Sequence, residues 1–297
     1  MSAVAASPEV IRHAVAVRGS VQFDLASAIS GRTYRIFVFQ PAAPPPPEGY
    51  PVVLVTDGNM NFPIAATMAA AFSLRGGKSA LVVGVGYPSD DPLETMRLRN
   101  RDLTSPTPLA RIRAAPGSPP PKLADYGGSD LFRRFIMEEL RAAIAADWPV
   151  NPDDQTLFGH SLGGLFVLDV LFSHPAAFRA YAASSPSIWW NRRALLRRED
   201  AFVRSLGAGA APRLLITVGS REQDVPDPLP PTMTLSQAQD MMRDARMVDN
   251  ARDLALRMKQ VKGGEGYTVR FQAFEEEDHL TVVAAAISRA LAFALRP

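Results

Sequence analysis

The chain has 297 residues, of which 47% are hydrophobic and 21% charged, so it can bury a large core and is not a disordered polymer. It has no cysteine, which excludes disulfides, thiolate metal sites and cysteine nucleophiles. The net charge is only +2 and no basic run occurs, so the composition gives no sign of a nucleic-acid partner.

Arginine supplies nearly all the positive charge; lysine occurs only at Lys78, Lys122, Lys259 and Lys262. A compositional bias of the genome explains this, and so does an anionic ligand, because arginine forks match oxyanions. The opening residues, MSAVAASPEVIRHAV, lack the charged and apolar regions of a signal peptide. No window approaches the ~18 apolar residues of a membrane span. The expectation is a soluble cytoplasmic protein, or a periplasmic one if a leader has been removed, with residues 1–15 as a mobile segment.

In chain order, SVQFDL and RTYRIFVFQP alternate and are rich in β-branched and aromatic residues, which predicts antiparallel edge strands. The clusters Pro44–Pro47 and Pro119–Pro121 read as stiff surface connections. PVVLVTDG and SALVVGVGY are short apolar runs, as expected of strands covered on both faces. Leu131, Phe135, Ile136, Leu140 and Ile144 fall at helical spacing within 129–148, with Ser129 as the expected N-cap. QTLFGH is a further buried strand, followed by a helix through Leu168. RLLITVGS and TVRFQAF are strands with a helical segment over about 236–261 between them, and 281–295 is an apolar helix. Alternating strands and helices predict one α/β domain spanning 1–297. Its sheet is mostly parallel and doubly wound, with an antiparallel N-terminal edge and helices on both faces, the α/β-hydrolase layout. Ligands in such sheets bind at the carboxyl ends of the strands.

Gly159-His160-Ser161-Leu162-Gly163 stands between a strand and a helix. This is the G-x-S-x-G nucleophile elbow in the context it requires, and it makes Ser161 the candidate nucleophile. Among the four histidines, His13 lies near the N-terminus, His160 is inside the elbow and His174 ends the following helix. His279 follows the last strand, where a general base belongs in this layout. The acid belongs after RLLITVGS, where Glu222, Asp224 and Asp227 occur; Glu222 is nearest the strand end. Asp278 is disfavoured because adjacent side chains point apart. Oxyanion donors are expected from the N–H groups of Leu162 and of Asn59, the latter in the Asp57-Gly58-Asn59 turn.

The segment GHSLGGLFVLDVLFSHPAAFRAYAASSP, residues 159–186, resembles the putative-esterase branch of the α/β hydrolases. SSPSIWWN, residues 184–191, is similar to the trilactone-siderophore esterases, which open the cyclic triesters enterobactin and bacillibactin. Further similar segments are RTYRIFVFQP, YPVVLVTDGN, VVGVGYP, VGSREQD and FEEEDHLTVVAAAISRAL, so the resemblance spans nearly the whole chain. It implies Ser161 and His279 as catalytic residues and Asn59 with Leu162 at the oxyanion. Glu222 matches the acid of the wider branch, although some siderophore esterases work with a Ser-His pair alone. The family often has His-Gly-Ser where this chain has His279-Leu280-Thr281.

The resemblance also implies a large, aromatic, anionic substrate, a ferric catecholate siderophore. Arg97, Arg99 and Arg101 follow the strand ending GVGYP, and Trp189 with Trp190 follow a later strand at the same end. These five are the expected substrate-binding residues. No cofactor or metal site is expected. Two other readings stay open: a carboxylesterase or acyltransferase for a smaller ester or thioester, and an inactive hydrolase-fold binding protein.

Overall fold

The computed structural model describes residues 15–112, 120–206 and 209–296. His13, nearly all of the segment 1–15 and Pro119 lie outside them. One eight-stranded sheet runs through the described residues in the order β1-β2-β4-β3-β5-β6-β7-β8. β1 (Ser20–Ala26) and β2 (Thr33–Phe39) form the antiparallel edge, and β2 also pairs antiparallel with β4 (Leu81–Gly86). The remaining pairs are parallel: β3 (Tyr50–Val55), β5 (Val150–His160), β6 (Ala180–Ser184), β7 (Arg213–Gly219) and β8 (Thr268–Phe274).

The pleat divides the core between the two faces. Val53, Val55 and Phe158 meet α1 (Gly58–Leu74) and α10 (Val282–Leu295) on one side. Val52, Leu54 and Leu157 belong to the core of the other side, with side chains of α3 (Ser129–Arg134), α4 (Arg141–Asp147), α5 (Leu162–Ser173), α6 (Trp190–Arg193), α7 (Glu199–Leu206) and α9 (Met247–Gln260). Strands covered on both faces have no polar alternation, which is why β3 and β4 read as continuous apolar runs.

Four details go beyond the sequence pattern. Gly128, not Ser129, is the N-cap of α3, and no side chain caps that end; Ser129 is already inside the first turn and buried. From α3 the chain continues through a π-helical stretch, Phe135–Leu140, into α4. The helical segment before β8 is two helices, α8 (Leu235–Ala245) and α9, split at Arg246 with φ 43°. The arginine-bearing segment after β4 is a helix, α2 (Pro92–Leu103), capped by the Asp91 carboxylate accepting from the Leu93 N–H.

The chain leaves β3 toward β4 on one side, and later β5 toward β6 on the other. The winding therefore reverses between the neighbouring strands β3 and β5, and their carboxyl ends open a crevice at that point. The turn after β3 and the elbow after β5 both face it. Close approach there demands glycine: a Cβ at Gly159 would lie 2.3 Å from the Gly163 carbonyl oxygen, and one at Gly164 would lie 2.6 Å from the Ser184 carbonyl oxygen. Gly164→Ala should force α5 away from β6, an overpacking cost of about 1–3 kcal/mol. Thermal denaturation should then show an unfolding midpoint lower by at least ~2 °C; an unchanged midpoint would refute the contact.

Candidate active site

Ser161 follows the last residue of β5 and caps α5 with φ 60° and ψ −117°. This is a strained conformation for a residue with a Cβ. It is held by the Ser161 N–H donating to the Ser184 carbonyl at 2.9 Å and by the Leu165 N–H donating to the Ser161 carbonyl at 2.9 Å. The strain lifts the hydroxyl to the N-terminus of α5. His279 Nε2 lies 3.0 Å from Ser161 Oγ, and His279 Nδ1 lies 2.6 Å from Glu222 Oε2. The three groups expected from their order in the chain thus form one continuous hydrogen-bonded line.

Glu222 is 5% exposed. Burial pushes its carboxyl upward, but the His279 ring, the Ser185 hydroxyl and the Gly219 N–H together hold it below the ordinary glutamate value. An ionised carboxylate on Nδ1 favours the tautomer that leaves Nε2 free to accept a proton from Ser161, and it would stabilise the imidazolium formed by such a transfer. Asp278 is placed otherwise: its Oδ1 accepts from the Leu280 and Thr281 N–H groups and shapes the entrance to α10. Asp224 faces Arg221 at 3.7 Å.

The loop after β6 wires this line to the sheet, through residues to which the sequence pattern had given no role. Ser184 Oγ lies 3.1 Å from His160 Nδ1, the Ser185 hydroxyl donates to Glu222 Oε1 at 2.5 Å, and Ser187 Oγ stands 3.4 Å from Ser161 Oγ. The repeated serines of SSPS were the available signal, but nothing in their spacing told which partner each would find. His160 is buried, as its place in the elbow implied, and its ring centroid lies 4.7 Å from that of His279. Burial, helped by the nearby His279, lowers its pKa to about 3, so it packs against the base as an uncharged ring.

Leu162 opens α5 and Asn59 stands in the first turn of α1, where N–H groups have no intrahelical acceptor and the helix dipole is positive. The Asn59 side chain clamps the adjacent backbone: Nδ2 donates to the Tyr87 carbonyl at 3.0 Å and Oδ1 accepts from the Tyr87 N–H at 2.8 Å. Asp57, the residue before this turn, has φ 54°. A two-pronged bond from Arg99 holds its carboxylate, with distances of 2.7 and 3.0 Å. Both side chains are largely buried. A Cβ on Gly163 would lie 3.3 Å from Asp57 Oδ2, so this carboxylate stands beside the start of α5. Without Arg99 it would oppose any anion forming between the two helix ends.

The five expected substrate contacts are thus dispersed. Arg99 is paired with Asp57. Arg97 is exposed, with Asp125 at 3.5 Å, and the Arg101 carbonyl accepts from the Gly128 N–H at 2.7 Å. Trp190 is buried: its Nε1 donates to Thr107 Oγ1 at 3.0 Å and its ring stacks on Tyr126 at 5.4 Å. Trp189 is half-buried and meets Trp190 edge-on. Trp190 lines a cleft of about 410 Å³ with Leu103, Leu165, Arg197 and Arg198, and none of the three arginines of α2 lines it. Leu280, where glycine was noted as common in the resembling family, is 76% exposed beside His279. Among the described residues, no helix is long and apolar enough to cross a membrane.

Comparison with known proteins matches residues 27–274 to a family described as "Putative esterase". Over 293 residues the chain is 36% identical to the ferri-bacillibactin esterase BesA of Bacillus subtilis, covering 96% of this chain and 92% of that one. It is 34% identical over 249 residues to the siderophore triacetylfusarinine C esterase of Aspergillus fumigatus, covering 81% and 80%. Among solved structures it resembles the BES protein from Bacillus cereus with a TM-score of 0.79 at 31% identity, covering 97% and 99%.

Ser161→Ala should lower kcat on any ester by ~10⁴-fold or more; a loss under about tenfold would sink the assignment. Glu222→Gln should lower kcat by orders of magnitude, and a loss under about threefold would favour a Ser-His pair. Arg99→Met should lower kcat more than it raises KM, because it leaves a buried carboxylate unpaired. Asp57→Asn combined with Arg99→Met should recover much of that loss; steady-state kinetics showing the double variant no better than the single would refute the electrostatic role.

Proposed function

The chain belongs to the Putative esterase family, and from that premise we propose that it hydrolyses the ester bonds of a siderophore trilactone, the iron-loaded catecholate form above all, with Ser161, His279 and Glu222 as its catalytic set. The continuous bonding from Ser161 through His279 to Glu222 carries this reading. In the proposed cycle His279 Nε2 takes the Ser161 proton as Oγ attacks the ester carbonyl. The N–H groups of Leu162 and Asn59 receive the oxyanion. His279 then protonates the departing hydroxyl, leaving an acyl-enzyme. Water, deprotonated by the same ring, attacks the acyl carbonyl; collapse releases the acid and restores the serine.

The substrate class rests on similarity to the ferri-bacillibactin esterase over nearly the whole chain. Met60, Leu93, Met96 and Leu280 are exposed apolar side chains in segments that follow the carboxyl ends of β3, β4 and β8, the end of the sheet that carries Ser161. Exposed apolar side chains there suit an apolar or aromatic ligand better than an acetyl ester.

The test is chromatography of enterobactin-type trilactones, with and without iron, beside p-nitrophenyl acetate. The expected kcat/KM favours the ferric trilactone by at least about tenfold, about 1.4 kcal/mol of additional transition-state binding. Acetate hydrolysis without trilactone opening would overturn the substrate and leave a general carboxylesterase.

A further inference from the structure

The end of the sheet opposite Ser161 carries a different chemistry. β7 and β8 begin there and α10 ends there. A cleft of about 460 Å³ at this end is lined by Arg213, Lys259, Arg270, Arg289 and Arg296, with Gln272 and Phe293 between them and no carboxylate. Elsewhere arginines find acids: Arg35 pairs with Asp24, Arg134 with Glu138, Arg198 with Asp169 and Arg257 with Glu199. None of the five cleft cations has an ion-pair partner among the described residues. The whole chain carries only +2, so this end holds a concentration of charge that the rest of the molecule offsets.

Two of the cations share one aromatic ring. Arg213 Nη2 donates to the Phe293 carbonyl at 2.8 Å, and its guanidinium lies 4.4 Å from the Phe293 ring centroid. Arg270 approaches the same ring at 5.5 Å, so one aromatic ring spaces two guanidinium groups. Burial, and then repulsion from Arg179 and Arg270, lower the pKa of Arg213. The neighbouring acid, Asp154, is already bridged by Lys78 and Arg179, each at 2.6 Å. Lys259 reaches the cleft from α9 and Arg289 from α10, on the two sides of β8, an edge strand of the sheet.

We propose that this cleft binds a soluble anion of several phosphate groups, an oligophosphate or a multiply phosphorylated small molecule, at a site separate from Ser161. Guanidinium forks take phosphate oxygens in pairs. Only an anion of high charge relieves the mutual repulsion of five cations; a lone carboxylate or monovalent ion leaves most of it. The volume suits such a ligand, since ligand pockets span roughly 300–1,000 Å³. A second copy of this chain is disfavoured at this edge, because it would bring like charges together.

The experiment is calorimetric titration with sodium tripolyphosphate, with orthophosphate as the control, at low and at physiological salt. One saturable site is expected, at least about tenfold tighter for tripolyphosphate and weaker as salt rises. The double variant Arg270→Ala/Arg289→Ala should weaken binding at least about tenfold. Both side chains are exposed and lie outside the Ser161 site, so the variant should keep its p-nitrophenyl acetate activity and its unfolding midpoint. Phosphatidylcholine vesicles with and without phosphatidylglycerol form a separate arm. No saturable tripolyphosphate binding at low salt, undiminished binding by the double variant, or capture by anionic vesicles without tripolyphosphate binding would each overturn the proposal.

Discussion

One buried carboxylate ties the ends of three strands together. Glu222 accepts from the Ser185 hydroxyl in the loop after β6, from the Gly219 N–H at the end of β7, and from His279 Nδ1 in the loop after β8. Burying an ionised group is costly unless its lone pairs are satisfied, and here three donors satisfy them. The group belongs to the usual acidic case: held below the ordinary glutamate value, it contributes stability that is complete above that value and is lost as pH falls through the depressed one. The same bonds that anchor the loops orient the ring of His279. Structure and chemistry therefore depend on a single ionisation state.

Backbone strain is concentrated at the same end of the sheet. Asp57, Ser161, Ser185 and Glu276 all have positive φ, at 54, 60, 44 and 64°, and each follows the carboxyl end of a strand. Such residues cost of order 1–3 kcal/mol each and persist only where neighbours over-determine them. The neighbours can be named. Arg99 holds Asp57, the β6 loop holds Ser161, and the Ser220 hydroxyl accepts from the Glu276 N–H. Two apolar layers on the faces of the sheet supply the stability against which this strain is set. The opposite end carries in its cleft cations that have no ion-pair partner among the described residues, so the two ends of one sheet present different surfaces to solvent.

The comparisons and the geometry bear on different questions. Similarity over nearly the whole chain places it in an esterase family and is the footing of the proposed substrate class. The geometry gives partners to residues of the segments that resemble the family. The serines of SSPS each have a separate partner around the Ser161 line. Trp190, in the same run, is 6% exposed and bonded to Thr107, and it lines the cleft of about 410 Å³ from within the core. It anchors the loop before the left-handed residues Asn191, Arg192 and Arg193.

The sequence by itself determined the sheet, the elbow and the order of the proposed catalytic groups, because these are written in local chemistry. Apolar period marks strands covered on both faces, and a glycine-flanked serine between strand and helix admits one tight turn. His279 and Glu222 were legible from their places after the last two strands. Tertiary structure alone decided whatever depends on which side chains meet across the crevice. The sequence offers Arg99 as one of three arginines after β4, and only the fold brings Asp57, 42 residues away, into its fork. Ser185 and Glu222 lie 37 positions apart, and no spacing rule relates them. The cleft cations are scattered from Arg213 to Arg296 and form no basic run. Charge becomes a site there only because β7, β8, α9 and α10 bring those residues to one end of the sheet, a consequence of strand order that no local pattern encodes.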